Sequence, residues 1–111
     1  DSLTSLYKTG EDIYSPEVVN INIANNAVLT EQPKEIAIKV RDKGEGIDPE
    51  SIVLLLNNIQ VKAVYDPETG IIRHEIGYKL LKGEHNIRLR LKDKAGNKLN
   101  PEFRSTFIYN N

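Results

Sequence analysis

A strict alternation of apolar and polar side chains restricts this chain more than any other feature of its sequence. In "HNIRLRLKD" (residues 85–93) aliphatic residues take every second position with basic residues between them, and "EIAIKVRD" (residues 35–42) follows a similar rule. A period of two belongs to a β-strand with one buried and one exposed face. No segment shows the 3.6-residue period of an amphipathic helix, and at most one helical turn is expected, at residues 78–81. The pattern therefore predicts an all-β protein.

Seven segments of this kind, separated by turn residues, account for most of the chain. In the first of them, Val19, Ile21 and Ile23 are expected to face the core. Residues 52–56 are continuously apolar, which favours a strand covered on both faces. "DPETG" (residues 66–70) has hairpin chemistry, because its proline pre-sets φ and its glycine can take positive φ. We predict an antiparallel β-sandwich, or a small barrel, of about seven strands. The segments are "VVNINIA", "EIAIKVRD", "SIVLLLNN", "IQVKAVY", "IIRHEIGY", "HNIRLRLKD" and "EFRSTFIYN".

The chain divides at residue 15. Residues 1–15 mix serine, threonine, glycine and charged residues with isolated apolar ones and show no period, as a linker or lead-in from a preceding domain would. Residues 16–111 carry the strands and are long enough to bury one core without a metal or a disulfide. The sequence has no methionine and begins with Asp1, so we expect a piece of a longer protein.

Charge and residue usage exclude several classes of function. Lys and Arg number 15 against 16 Asp and Glu, and the net charge of −1 offers no field for nucleic acid. There is no cysteine for disulfides or thiolate chemistry, and no apolar stretch approaches the ~18 residues of a membrane span. His74 and His85 lie in different predicted strands without a second ligand at metal spacing. With no nucleophile motif or phosphate loop either, we predict that the chain is not an enzyme.

Four motifs in a fixed order carry a resemblance to a known family. "VRDKGEGID" (residues 40–48) closes an alternating strand, and "PESIVLLLNN" (residues 49–58) follows it. "DPETG" then makes a hairpin, and "YKLLKGEHNIRLRLKDKAGN" (residues 78–97) leads to the terminal strand. Together they resemble the bacterial immunoglobulin-like (Big-type) domains, with Asn58 standing where that family often has glycine. The resemblance implies an immunoglobulin-like or fibronectin-III-like β-sandwich in a secreted or cell-surface bacterial protein of several domains. It also implies neighbouring domains as partners and usually no catalysis. For His85, which stands where the family commonly has an aromatic residue or His, it implies a packing role.

Two acidic turns are expected at the same end of such a sandwich. "VRDKGEGID" and "LKDKAGN" follow strands whose ends lie at one pole of this fold, which would gather Asp42, Glu45, Asp48, Asp93 and the Asn97 side-chain oxygen. Calcium prefers several oxygen ligands of this kind, so a calcium site is one hypothesis. We favour the alternative that Asp42 and Asp93 accept backbone N–H bonds within their own turns, because such turns need no ion. No cofactor is then required.

One sheet face combines basic and apolar side chains. Arg88 and Arg90 point away from the predicted core. Either Val53 and Leu55 or the set Ile52, Leu54 and Leu56 would lie beside them on the adjacent strand of an immunoglobulin-like sheet. Arginine stems resting on apolar neighbours are one explanation. The other is a contact with a glycan, a protein ligand or a neighbouring domain. We therefore predict an accessory spacer, stabiliser or positioning module, with a glycan- or protein-binding adhesion module as the alternative.

Overall fold

The computed structural model describes residues 14–110, which form two β-sheets around a shared core. Within these residues there are nine short strands and one 3₁₀ turn. The strands are β1 (Glu17–Ile21), β2 (Ala27–Leu29), β3 (Glu35–Arg41), β4 (Val53–Leu56), β5 (Ile59–Val61), β6 (Val64–Asp66), β7 (Ile71–Glu75), β8 (Gly83–Arg90) and β9 (Phe103–Tyr109), and the 3₁₀ turn is Pro49–Ser51.

The nine strands form one sheet of four strands and one sheet of five strands. The four-stranded sheet has the order β1-β3-β7-β6, and the five-stranded sheet has the order β2-β9-β8-β4-β5. Neighbouring strands are antiparallel except β2, which runs parallel to β9. The N-terminal part of the described chain therefore gives an edge strand to each sheet. The predicted immunoglobulin-like β-sandwich is confirmed.

The alternation in the longest strands decides which side chains form the core. Ile36 and Ile38 of β3, Ile87 and Leu89 of β8, and Phe107 of β9 are at most 1% exposed. Burying an aliphatic or aromatic side chain of this size contributes about 1.5–3 kcal/mol. The central strands β3, β8 and β9 thus supply much of the apolar burial that holds the sheets together.

One of the three inward positions predicted for the first strand is wrong: Ile21 and Ile23 contact the core as predicted, but Val19 points outward. A β-bulge interrupts the pairing of β1 with β3 between Val18 and Asn20. A bulge adds one residue and so shifts the alternation by one position. Val18 packs against the core while Val19 is 42% exposed, and Ile23 is buried only after β1 has ended.

Two further segments differ from their predictions. "IQVKAVY" was expected to be one strand, but β5 pairs with β4 in one sheet and β6 pairs with β7 in the other. The chain crosses between the sheets at residues 62–63, and this division raises the strand number from seven to eight. The ninth strand is β2, which lies in none of the predicted segments. The helical turn expected at residues 78–81 is not formed, because the segment joining β7 to β8 is irregular throughout.

The continuously apolar strand is covered on one face rather than two. In β4, Leu54 and Leu56 are buried against the core, whereas Val53 and Leu55 on the opposite face are partly exposed. Apolar residues at all four positions therefore place an apolar stripe on the outside of the five-stranded sheet.

Two tight turns use residues that tolerate positive φ. Asn57 and Asn58, between β4 and β5, have φ of 54° and 67°, as a type I′ hairpin requires at both positions. Asparagine tolerates this region better than most residues, so Asn58 fills a position where glycine is common. The hairpin predicted at "DPETG" is confirmed: Gly70 has φ of 74° and its N–H donates to the Asp66 carbonyl.

The predicted lead-in, residues 1–15, lies outside the described residues except for its last two. Tyr14 is the first described residue, and its ring centre lies 5.9 Å from the Lys43 ammonium nitrogen. Among residues 14–110 there is no helix with the length and apolar character needed to cross a membrane.

Candidate functional site

The outer face of the five-stranded sheet brings together all four side chains of the predicted ligand face. Because Ile87 and Leu89 point into the core, Arg88 and Arg90 of β8 point outward. Antiparallel pairing with β4 sets Arg90 opposite Val53 and Arg88 opposite Leu55. Residues directly opposite on one sheet face have Cβ atoms about 5 Å apart, so each arginine stem lies beside an apolar side chain.

A glutamate that sequence analysis did not select as a site residue lies beside these arginines. Glu102 directly precedes β9, and both of its carboxylate oxygens accept hydrogen bonds from Arg88. The Arg88 Nη2 is 2.9 Å from Oε1 and 2.9 Å from Oε2, and its Nε is 3.1 Å from Oε1. The remaining Arg88 nitrogen, Nη1, donates to Asn58 Oδ1 at 3.1 Å. These bonds hold the Arg88 guanidinium in one orientation.

Two more arginines share the same carboxylate. The Arg90 Nε lies 3.3 Å from Glu102 Oε1, and the Arg104 Nη2 lies 3.8 Å from Glu102 Oε2. Arg104 stands directly opposite Arg88 in the pairing of β8 with β9. We call Arg88, Arg90, Arg104 and Glu102 the arginine cluster. Three guanidinium groups meet one carboxylate, so the cluster carries a net charge of about +2.

Electrostatics fix the protonation states of the cluster. Hydrogen bonding to Arg88 is the main cause that holds the pKa of Glu102 at about 2 against its usual 4.5, with Arg90 adding to it and burial acting in the opposite direction. The same hydrogen bond raises the pKa of the Arg88 guanidinium. Glu102 and Arg88 are thus both charged near neutral pH. The arrangement suits the binding of an anion better than acid–base catalysis, which needs a group that titrates near the working pH.

A shallow concavity of about 400 Å³ adjoins the arginine cluster between β8 and β9. Asn58, Asn86 and Thr106 line it together with Arg88 and Arg104. Amide and hydroxyl side chains both donate and accept hydrogen bonds. The concavity therefore offers neutral polar contacts beside the surplus positive charge.

The two acidic turns are neighbours at one pole of the sandwich, as predicted. Ile47 forms an antiparallel bridge with Asp93, and the Lys94 N–H donates to the Gly46 carbonyl at 2.9 Å. The Asp48 N–H donates to the Lys92 carbonyl at 3.0 Å. We call this end, formed by residues 42–52 and 91–101, the loop pole.

The aspartates of the loop pole support their own turns. Asp42 Oδ2 accepts the N–H groups of Gly44 at 3.2 Å and Gly46 at 2.9 Å. Asp93 is fully buried, and its carboxylate accepts the Asn97 backbone N–H at 2.7 Å and the Asn97 side-chain amide at 3.0 Å. The preferred alternative, backbone hydrogen bonding within each turn, is confirmed for both aspartates.

The two other acidic members of the calcium hypothesis are Asp48 and Glu45. Asp48 caps the 3₁₀ turn by accepting the Glu50 N–H at 3.1 Å, and Glu45 is exposed. Across residues 14–110, no group of three or more His, Cys, Asp or Glu side chains is placed to hold a metal ion. Calcium binding stays a hypothesis, which titration of the protein with calcium can test.

The two histidines belong to separate structural contacts. His85 is 5% exposed and stacks on Phe107 with ring centres 5.1 Å apart, which confirms its predicted packing role. His85 Nε2 donates to the Leu81 carbonyl at 2.7 Å, since a carbonyl can only accept. His74 Nδ1 likewise donates to the Lys62 carbonyl at 2.7 Å, and its other nitrogen bonds the Tyr78 hydroxyl.

Comparison with known proteins gives a fold but no family. No protein-family model matches the chain, and no curated protein matches it. The crystal structure of CopC from Methylosinus trichosporium OB3b is similar, with a TM-score of 0.68 and 14% sequence identity over 86% of this chain and 93% of that chain. At such low identity the likeness shows the fold alone. It shows that this chain has the β-sandwich architecture of a known protein, while its role has to be argued from its own residues.

Proposed function

We propose that this chain is a non-catalytic positioning module of a larger bacterial extracellular or cell-surface protein. The observation that carries the proposal is that the sandwich begins and ends at opposite poles. β1 starts at Glu17, which pairs with Arg41 at the loop pole. β9 ends at Tyr109, which pairs with Gly83 at the start of β8 and therefore at the far pole. Domains joined to the two ends would be held apart by the length of the sandwich.

The geometry of both ends supports this role. The contact between Tyr14 and Lys43 keeps the described N-terminal residues against the loop pole. At the far pole, the Asn110 N–H donates to the Leu29 carbonyl at 2.8 Å, which ties the last described residue to β2. β8 alone runs eight residues between the poles, or about 26 Å at ~3.3 Å per residue. A sandwich anchored in this way would act as a stiff spacer.

A fusion experiment tests the positioning role. Fluorescent proteins fused directly before Pro16 and after Asn110 form a pair for time-resolved energy transfer. The matched control replaces residues 16–110 by a glycine–serine linker of equal length, which behaves as a flexible coil. A positioning module gives a clearly narrower distribution of distances than the linker does. Equal widths would show that the domain does not fix its neighbours and would contradict the proposal.

A small protein that works as a single domain is the second candidate. The CopC chain is matched over 93% of its length, so a solved chain exists that contains little besides this fold. An immunoblot of the source cells with an antibody against this domain separates the two candidates. A band well above 12.5 kDa supports a module of a larger protein, and a band near 12.5 kDa supports the single-domain candidate.

A further inference from the structure

We propose that the arginine cluster and its adjoining concavity bind a carboxylate-bearing polysaccharide, such as a uronic acid polymer. This inference is independent of the positioning role, because it concerns the outer face of the five-stranded sheet rather than the poles. It rests on surplus charge, on an internal example of carboxylate binding and on the strand order of the sheet.

Positive charge is concentrated on this face although the chain as a whole carries a net charge of −1. Glu102 neutralises one of three guanidinium groups, and its strongest bonds go to Arg88. The side chains of Arg90 and Arg104 are 54% and 72% exposed and approach Glu102 only at 3.3 and 3.8 Å. Both retain N–H donors that face solvent. An anionic ligand can therefore meet two arginines without breaking the bonds between Arg88 and Glu102.

Glu102 itself shows which anion the cluster accepts. Arg88 Nη2 lies 2.9 Å from each of the two Glu102 carboxylate oxygens, so one guanidinium binds both acceptor atoms of a carboxylate. Planar guanidinium groups favour such paired contacts, which are stronger and more directional than contacts with a point charge. Arg104 stands opposite Arg88, so Arg90, two residues further along β8, is its diagonal neighbour. Diagonal neighbours on one sheet face are about 7 Å apart, and that spacing of the two exposed arginines suits anionic groups repeated along a polymer better than a single small anion.

The surroundings of the cluster favour a polysaccharide over other polyanions. Asn58, Asn86 and Thr106 present amide and hydroxyl groups that can pair with sugar hydroxyls. None of the residues lining the concavity is aromatic, so the stacking platforms of single-stranded nucleic acid recognition are absent from it. β8 is paired with β9 on one side and with β4 on the other, so an acidic peptide cannot add beside it as a further strand.

Calorimetric titration of the 111-residue chain tests the ligand class. The probes are polygalacturonate, dextran sulfate, neutral dextran and polyglutamate, in about 0.15 M salt, where charges beyond about 8 Å are screened. We expect polygalacturonate to bind and neutral dextran to give no heat. No heat with polygalacturonate overturns the proposal. If dextran sulfate binds more tightly than polygalacturonate, the site is assigned to sulfate groups. If polyglutamate binds as tightly as polygalacturonate or more tightly, the site is assigned to acidic protein. Either result overturns the proposal of a carboxylate-bearing polysaccharide.

A pair of double variants separates a built site from general charge attraction. Arg90→Ala with Arg104→Ala removes the two exposed arginines and keeps Arg88 bound to Glu102. The matched control, Arg41→Ala with Arg73→Ala, removes the same charge from the four-stranded sheet, where both arginines also pair with glutamates and are 61% and 45% exposed. We expect the first pair to weaken polygalacturonate binding by at least about tenfold, as the loss of two charge-assisted contacts implies, and the control by less than about twofold.

Equal losses in the two double variants would show that only net charge matters and would overturn the site. Glu102→Gln is a third variant for the same titration, because it removes the carboxylate of the protein itself that competes with the ligand for the arginines. We expect this variant to bind polygalacturonate at least as tightly as the unaltered chain. Weaker binding, in a variant whose urea midpoint shows it folded, would mean that no ligand carboxylate takes up the freed arginine contacts and would contradict the proposal.

Discussion

Replacing Asp93 by alanine tests whether the loop pole is held together by its own hydrogen bonds or by an ion. Asp93 is fully buried and accepts two bonds from Asn97, from the backbone N–H at 2.7 Å and from the side-chain amide at 3.0 Å. Its backbone also forms the bridge to Ile47 that joins the two turns. Alanine keeps the backbone bridge but leaves the Asn97 donors inside the turn without this carboxylate.

The size of the effect follows from those two bonds. A hydrogen bond to a charged group is worth about 1.5–3 kcal/mol, and the sum is reduced because the native state also bears the cost of burying a carboxylate. We expect Asp93→Ala to lower the free energy of unfolding by about 3 kcal/mol. For a domain of this size that corresponds to a fall in Tm of roughly 12 °C or more. Asp42→Ala should cost less, about 1–2 kcal/mol, because Asp42 is only partly buried and its bond to Gly44 is long at 3.2 Å.

The assay is urea denaturation at pH 7 and 25 °C, once with excess EDTA and once with millimolar calcium. Turn hydrogen bonds predict the full loss of stability in EDTA. A calcium ligand predicts the opposite, because an ion stabilises only the form that binds it and only when it is present. If Asp93→Ala in EDTA stays within about 0.5 kcal/mol of the unaltered chain, the hydrogen-bond explanation is wrong. A calcium-dependent rise in midpoint that both substitutions remove would revive the ion site.

Two further substitutions probe the arginine cluster and a tight turn. The folded-state pKa of Glu102 is about 2, below the 4.5 of an ordinary glutamate, so its contribution to stability is complete above pH 4.5 and is lost as the pH falls towards 2. In the unaltered chain, the urea midpoint should therefore fall between pH 4.5 and pH 2, and in Glu102→Gln this fall should be smaller. An equal fall in both proteins would count against the stabilising bond between Glu102 and Arg88. Gly70→Ala should destabilise by about 2 kcal/mol or more, because φ is 74° and the new Cβ would lie 2.6 Å from the Val40 carbonyl oxygen. Gly46→Ala is the control, with φ of 97° but nothing within 4 Å, so near-equal losses in urea titrations would show that the contact with Val40 is unimportant.

Several features of the site could be read from side-chain alternation alone. Alternation in "HNIRLRLKD" placed Arg88 and Arg90 outward, and the structure sets them opposite Leu55 and Val53. Alternation in "EFRSTFIYN" puts Glu102 on the same outward side as Arg104, but it could not show that Glu102 meets the arginines of β8. Its bonds to arginines 12 and 14 residues earlier depend on the register of β8 with β9.

The sequence alone determined the all-β class, the inward side chains of β3 and β8, and the two turns of the loop pole. These features are local, because a period of two and the turn chemistry of Asp and Gly act within a few residues. The tertiary structure alone decided that residues 59–65 divide between two sheets and that a bulge reverses the exposure of Val18 and Val19. It also decided that three arginines surround Glu102. Such outcomes depend on which strands pair and in which register, and a shift of one residue would turn every side chain to the opposite face.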